Sequence, residues 1–171
     1  AFFQGLVLGE EVILPCTGFI GIGNITEVVG VAHRDDVPFQ AMRADDRLRL
    51  FELHPSDSKL LQENFADAGK RAAIQQADGF AGLKSVLPPP PRRALVLIDP
   101  PFEDKSDYQT VIGALQEALK RFATGIYAIW YPHLQRREVN ELTARLKTLP
   151  VKSWLHAGIN VQTPSDRKSV V

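Results

Sequence analysis

Four consecutive residues, Asp99-Pro100-Pro101-Phe102, follow directly on the apolar run Ala94-Leu95-Val96-Leu97-Ile98. Their types and order suit one kind of chemistry, the handling of an exocyclic amino group on a flat ring. Asp99 can accept one amine hydrogen and the Pro100 carbonyl the other. Two acceptors fix the plane of the amine and turn its lone pair towards an electrophile. Phe102 can then stack on the ring face, in the way that enzymes acting on extruded bases hold them. No metal is needed for this. An isolated Asp-Pro-Pro also serves as a plain turn after a core strand, so the reading depends on what else stands at the same edge.

The elements that must position this loop follow from the pattern around it. Five apolar residues in a row suit a strand buried on both faces, as in parallel sheets, and two successive prolines cannot donate ladder hydrogen bonds, so pairing ends there. In open α/β sheets, ligands sit just outside such strand ends. From Leu48 onward the chain alternates strand and helix patterns, which predicts an α/β fold with a parallel, layered sheet rather than a barrel. Residues 47–53 read as a strand, and His54-Pro55-Ser56-Asp57 as the turn into a helix with Leu60, Leu61 and Phe65 on its apolar stripe. Residues 71–77 form a short strand ending at Asp78-Gly79, and residues 80–87 a short helix closed by the prolines at 88–91. Beyond the Asp-Pro-Pro loop, residues 106–122 form a helix burying Tyr108, Val111, Ile112, Leu115 and Leu119. Residues 124–130 return as a strand that Tyr131-Pro132 breaks, residues 134–149 as a helix, and residues 151–161 as a last strand.

This layout puts three acids, Glu52, Asp78 and Asp99, at the ends of three successive strands. Glu52 is placed to accept from ribose hydroxyls, as acids after a second strand do in nucleotide-binding folds. Asp78 is placed to accept from an adenine amine, with Gly79 letting the ring lie against backbone. Each acid alone also reads as a turn, cap or salt-bridge residue; together, in this order and spacing, they point to a nucleotide-like cofactor. The first 45 residues are less patterned. Glu11-Val12-Ile13-Leu14 reads as a strand, and the stretch Thr17 to Asn24 reads as a glycine-rich cofactor turn, as a loose strand or as an irregular loop. His33-Arg34-Asp35-Asp36 is polar punctuation.

Composition bounds the alternatives. A chain of 171 residues with 44% hydrophobic and 23% charged residues is expected to fold as one domain, a divergent segment 1–45 joined to a core 46–171. No apolar run approaches the ~20 residues that cross a bilayer. The apolar start lacks a basic n-region, which argues against a secretory signal. A single cysteine, Cys16, excludes an internal disulfide and a cysteine zinc cluster, and fits a reducing, cytoplasmic setting. The net charge of zero conceals a polarity: residues 1–83 carry 7 Lys/Arg against 12 Asp/Glu, and residues 84–171 carry 13 against 8. Arg92-Arg93, Lys120-Arg121, Arg136-Arg137 and Arg167-Lys168 in the basic half are candidate phosphate contacts.

The stretches Phe51-Glu52-Leu53-His54-Pro55-Ser56-Asp57, Ala77-Asp78-Gly79-Phe80, Leu97-Ile98-Asp99-Pro100-Pro101-Phe102 and Lys120 to Pro132 together resemble the bacterial 23S ribosomal RNA adenine-N6 methyltransferases, over roughly residues 45–167. The resemblance implies a Rossmann-like class I S-adenosylmethionine-dependent methyltransferase sheet with helices on both faces. It implies that Glu52, Asp78, Gly79 and Asp99 bind S-adenosylmethionine, that Asp99 is catalytic, and that Pro100, Pro101 and Phe102 meet the substrate. The partner implied is 23S ribosomal RNA, with no metal, no membrane and a monomeric chain. The family commonly has Tyr where Phe102 stands. Its N-terminal helical segment with a donor-contacting His, its Asp-Thr-His-Ala-Gly-type loop after the first strand, and a Ser-containing loop before Arg47 are not recognisable here. Pro15-Cys16-Thr17-Gly18 occupies a comparable place, and Pro164-Ser165-Asp166-Arg167 resembles the start of a further family motif. A DNA adenine-N6 methyltransferase and a truncated, inactive RNA-binding relative are the alternatives. A nucleoside-triphosphatase is excluded because no G-x-x-x-x-G-K-[ST] loop occurs.

Overall fold

In a computed structural model, the run ahead of Asp99 forms a strand at the heart of a seven-stranded sheet. The structure describes residues 2–9, 27–31, 45–90, 92–132, 134 and 136–160, and of residues 2–9, 27–31, 159 and 160 the backbone alone. The strand and turn expected within residues 11–24, His33 to Asp36, Cys16 and the motif from Pro164 lie outside these. The strands are β1 (Phe2–Gly9), β2 (Glu27–Val31), β3 (Arg47–Phe51), β4 (Ala72–Gln75), β5 (Ala94–Ile98), β6 (Ile126–Pro132) and β7 (Ser153–Asn160), in the spatial order β4-β3-β2-β5-β6-β1-β7. The helices are α1 (Pro55–Asn64), α2 (Gly79–Val86), α3 (Ser106–Arg121) and α4 (Arg137–Leu146), with a 3-10 segment at Ala66–Arg71.

Strands β4, β3, β2, β5 and β6 run parallel, and β1 lies antiparallel between β6 and β7. The sheet is therefore mixed. Its register aligns Gln75, Phe51, Val31, Ile98 and Ile129 in one row across five strands. Glu52 and Asp99 are each one residue beyond that row, so both leave the sheet at the same edge.

Two strands depart from the expected pattern. The N-terminal apolar stretch supplies β1, and the central strand β2 comes from residues 27–31, where its Val-rich run Glu27-Val28-Val29-Gly30-Val31 suits a strand flanked on both sides. The segment 1–45 thus contributes two strands to the same sheet as the core. Strand β6 also runs on through Tyr131 and Pro132, because β1 pairs with both residues. Pro at the end of a strand is tolerated where its missing N–H is not needed.

Helices pack on both faces. Leu48 and Leu50 of β3 meet Leu61 and Phe65 at α1, whereas Phe51, one residue on and therefore facing the opposite way, joins the larger core under α2, α3 and α4. That core contains Val96 and Ile98 of β5, Val111 and Leu115 of α3, and Tyr127 and Ile129 of β6. Two tyrosines fasten it. The Tyr127 hydroxyl donates to the Phe122 carbonyl at 2.8 Å, and the Tyr131 hydroxyl shares hydrogen bonds of 3.0 Å with Thr143 Oγ1 on α4 and His156 Nε2 on β7. Burial pushes both phenols above their usual range.

Gly82 lets α2 press directly on β3. A Cβ at this position would lie 2.5 Å from the ring of Phe51, which is itself buried. Gly82→Ala is therefore expected to destabilise the chain by about 1–3 kcal/mol through overpacking, read as a lower midpoint in urea unfolding.

Candidate functional site

The end of β3 is fixed through both backbone groups of the residue that follows it. Glu52 N–H donates to the Gln75 carbonyl at 3.1 Å, and the Glu52 carbonyl accepts from Ala77 N–H at 3.2 Å, which extends the β3–β4 ladder past both strands. The residue is 8% exposed, and its Oε1 accepts from His54 N–H at 2.7 Å. A carboxylate so tied presents a fixed acceptor rather than a swinging one. Pro55 then opens α1 at its first turn, where the missing N–H costs nothing.

Asp78 stands at the head of α2, and its Oδ1 accepts from Phe80 N–H at 3.0 Å. The capping role weighed for this residue is thus present in the structure, and it holds the exposed carboxylate at one place. Gly79, buried, follows it as the first residue of α2. Across the sheet, Asp99 leaves β5 half-buried, Pro100 is buried and Pro101 exposed. Among the described residues no hydrogen bond claims the Pro100 carbonyl.

Glu52, Asp78, Gly79, Asp99, Pro100 and Pro101 all line one open cavity of about 840 Å3. Its size falls within the range of small-molecule and cofactor sites. Leu53, two-thirds exposed, and Phe80 add apolar walls next to Glu52 and Asp78. The cavity accordingly offers acceptors for hydroxyls and amines together with apolar faces for a flat ring, a donor set that fits a nucleoside-like cofactor.

Phe102 departs from its expected place. It does not line the cavity; it is 4% exposed and packs against Tyr108, with ring centroids 4.8 Å apart. The backbone turns it inward with φ at +54°, a region that non-glycine residues occupy only when their surroundings hold them. Its unadorned ring has no polar atom to satisfy, so burial beneath the loop is the favourable position. Two contacts brace the loop from the other side. Asp104 Oδ1 accepts from Ser106 N–H at the start of α3, and Lys105 Nζ lies 2.9 Å from Glu138 Oε1 on α4. The Lys105 hydrogen bond holds the Glu138 carboxyl below its usual range.

Several lining residues had no role in the sequence reading. His54, Ser56 and Asp57 form one rim, with His54 Nδ1 2.8 Å from Ser56 Oγ; Glu103, Asp107 and Thr110 form another. Their signal was adjacency: each falls within a few residues of Glu52 or of the Asp-Pro-Pro loop. Among the described residues no group of three or more His, Cys, Asp and Glu is placed to hold a metal ion, and no helix is long and apolar enough to cross a membrane.

A family model described as "Ribosomal RNA large subunit methyltransferase D, RlmJ" matches residues 35–171. The chain belongs to this family. It is similar to the ribosomal RNA large subunit methyltransferase J of Escherichia coli, 45% identical over 129 residues, which are 75% of this chain and 46% of that protein. The ribosomal RNA large subunit methyltransferase J of Haemophilus influenzae is 42% identical over 131 residues, 77% of this chain and 46% of that protein. The chain thus spans about half the length of the curated relatives it matches. A crystal structure of a Legionella pneumophila protein superposes with a TM-score of 0.59 at 32% identity, over 63% of this chain and 40% of that one. The RlmJ-family match encloses every residue lining the cavity and begins after β1 and β2.

Truncating Phe102→Ala is expected to cost about 3–5 kcal/mol by emptying the space under the loop. Tyr108→Phe, which removes a buried hydroxyl with no partner among the described residues, is expected to leave stability unchanged or higher. Denaturant midpoints of the two variants test the pair. Burial pushes the Asp107 carboxyl above its usual range, and the charges of Asp104 and Glu103 push the same way. Ionised Asp107 therefore weakens the fold at neutral pH, and this penalty fades as pH falls through its raised pKa. Asp107→Asn is expected to raise the thermal midpoint at pH 7 and to leave it unchanged below the carboxylate range.

Proposed function

We propose that this chain carries the donor pocket and reacting loop of an S-adenosylmethionine-dependent methyltransferase that modifies the N6 amine of an adenine in large-subunit (23S) ribosomal RNA. The observation that carries this reading is the convergence of Glu52, Asp78-Gly79 and Asp99-Pro100 on a single cavity at the carboxyl edge of parallel strands. Family membership supports the reaction class, and the strand order with helices on both faces supports a Rossmann-like methyltransferase sheet.

S-adenosylmethionine supplies an electrophilic methyl group on a positively charged sulfur. Glu52 accepts from the ribose hydroxyls of the donor, and Asp78, beside Gly79, from its adenine amine. Asp99 and the Pro100 carbonyl each accept one hydrogen of the target N6 amine, which directs the nitrogen lone pair at the methyl carbon. Bound there, S-adenosylmethionine would offer its methyl carbon to that nitrogen for direct in-line displacement of the sulfur, with no covalent enzyme intermediate. The nitrogen becomes acidic as the methyl arrives, so its surplus proton can pass to the Asp99 carboxylate or to water without a strong base, and positioning supplies most of the acceleration. Phe102 supports the loop from beneath in the conformation described above, and stacking on the target ring requires it to turn outward.

Calorimetric titration of the purified chain with S-adenosylmethionine is expected to show one saturable site that Glu52→Ala weakens at least tenfold. Asp99→Ala is expected to keep the fold and lower methyl transfer to protein-free 23S ribosomal RNA by about 100-fold or more. Donor binding unaffected by Glu52→Ala, or wild-type transfer by the Asp99 variant, would overturn the assignment.

A further inference from the structure

At the end of the molecule opposite the cavity, basic residues gather where α2, α3 and α4 finish. In each parallel crossover the helix returns antiparallel to its strands, so α2, α3 and α4, which share one core, all finish at that far edge. Lys84 stands in the last turn of α2, Lys120 and Arg121 in the last turn of α3, and Lys147 at the end of α4. Arg121 Nη1 donates to the Lys84 carbonyl at 3.4 Å, which joins the first two of these ends. Lys120 lines a groove of about 560 Å3 between Leu119 and Ala123 at the end of α3 and the turn Thr148-Leu149-Pro150. On the far side of that turn Trp154, 46% exposed on the edge strand β7, has Lys147 Nζ 5.2 Å from its ring centre. Among the described acids, Glu117, paired with Lys120 at 2.6 Å, stands beside this band, and residues 142–165 contain no Asp or Glu at all.

An exposed tryptophan with a lysine at its ring, one turn away from a groove that carries another lysine, suits single-stranded nucleic acid: the ring offers a stacking face to any base, and the cations follow the backbone. We propose that the band Lys84–Arg121–Lys120–Lys147–Trp154 is a second, sequence-tolerant binding surface for single-stranded RNA. It rests on the reading that the substrate is RNA, and it holds a flanking segment of that strand. The 16 residues of α3 separate the cavity edge from the groove by about 24 Å, a distance that roughly seven nucleotides cover at the stacked spacing. The far edge thus adds cationic contacts remote from an opening whose described lining contains no Lys or Arg.

Trp154 provides the direct readout. In a Trp130→Phe background, a 20-nucleotide oligouridylate at low salt is expected to quench its emission by at least half. The affinity of a fluorescein-labelled oligouridylate is expected to fall with log salt at a slope of about −3, as four single-strand phosphate contacts would give. The triple variant Lys84→Gln, Lys120→Gln, Lys147→Gln should weaken that affinity at least tenfold and flatten the slope, while calorimetric affinity for S-adenosylmethionine is unchanged. Trp154→Ala alone should weaken binding severalfold. Unchanged Trp154 emission at saturating oligonucleotide, or wild-type affinity and slope in the triple variant, would overturn the proposal. Failure of this surface alone leaves donor binding and Asp99-dependent transfer intact. Failure of the catalytic reading removes those two and leaves the quench and its salt slope.

Discussion

Everything at the site depends on parallel strand register. Because Gln75, Phe51, Val31 and Ile98 form one row, the chain emerges from β4, β3 and β5 at a common level, and the residues that follow are held side by side at that edge. With neighbouring strands about 4.8 Å apart, Glu52 and Asp99 leave the sheet two strand spacings, or about 10 Å, from one another. A slip of one residue in either pairing would reverse the faces of the strand and carry its acid out of line. What prevents the slip is the alternation of buried side chains: Leu48 and Leu50 belong to the core on one face and Phe51 to the core on the other.

Local signals made the region after Leu48 legible. The apolar run before Asp99, the proline pair that ends it, the Pro55 helix start and the 3.6-residue stripe from Tyr108 to Leu119 each specify their own element, and the structure has all four. The three acids could be placed at one edge because each ends or follows a strand whose pattern is explicit. Two things were not legible. Strands β1 and β2 have no alternation that distinguishes them from a generic apolar segment, and their places in the sheet depend on β6 and β5, each more than 60 residues away in sequence, with β3 as the nearer partner of β2. The inward turn of Phe102 was likewise hidden, since it depends on a ring, Tyr108, six positions on, and on a backbone conformation that sequence does not announce.

Charge is divided along the strand direction. The carboxyl edge gathers Glu52, Asp57, Asp78, Asp99, Glu103 and Asp107 around one opening, and the opposite edge gathers lysines and arginines at helix ends. Acids near helix starts and cations near helix ends both agree with the helix dipoles, so the same arrangement that stabilises α2 and α3 also polarises the molecule. An acid-lined opening favours a ligand carrying positive charge and disfavours phosphate.

The clamp between Glu52 and β4 has a further consequence for motion. Strand β4 is four residues long and, among the described residues, forms one edge of the sheet with β3 as its one strand neighbour. Short edge strands are where native sheets open most readily without global unfolding. Since the Ala77 amide and the Gln75 carbonyl hold Glu52 in place, every fraying event of that edge also releases one wall of the cavity. A ligand gripping Glu52 would close the same bonds. The exchange of the Glu52 and Ala77 amides with solvent deuterium then becomes a local gauge of occupancy, slowed on binding while the amides of β5 and β6, buried at the centre, keep their rates.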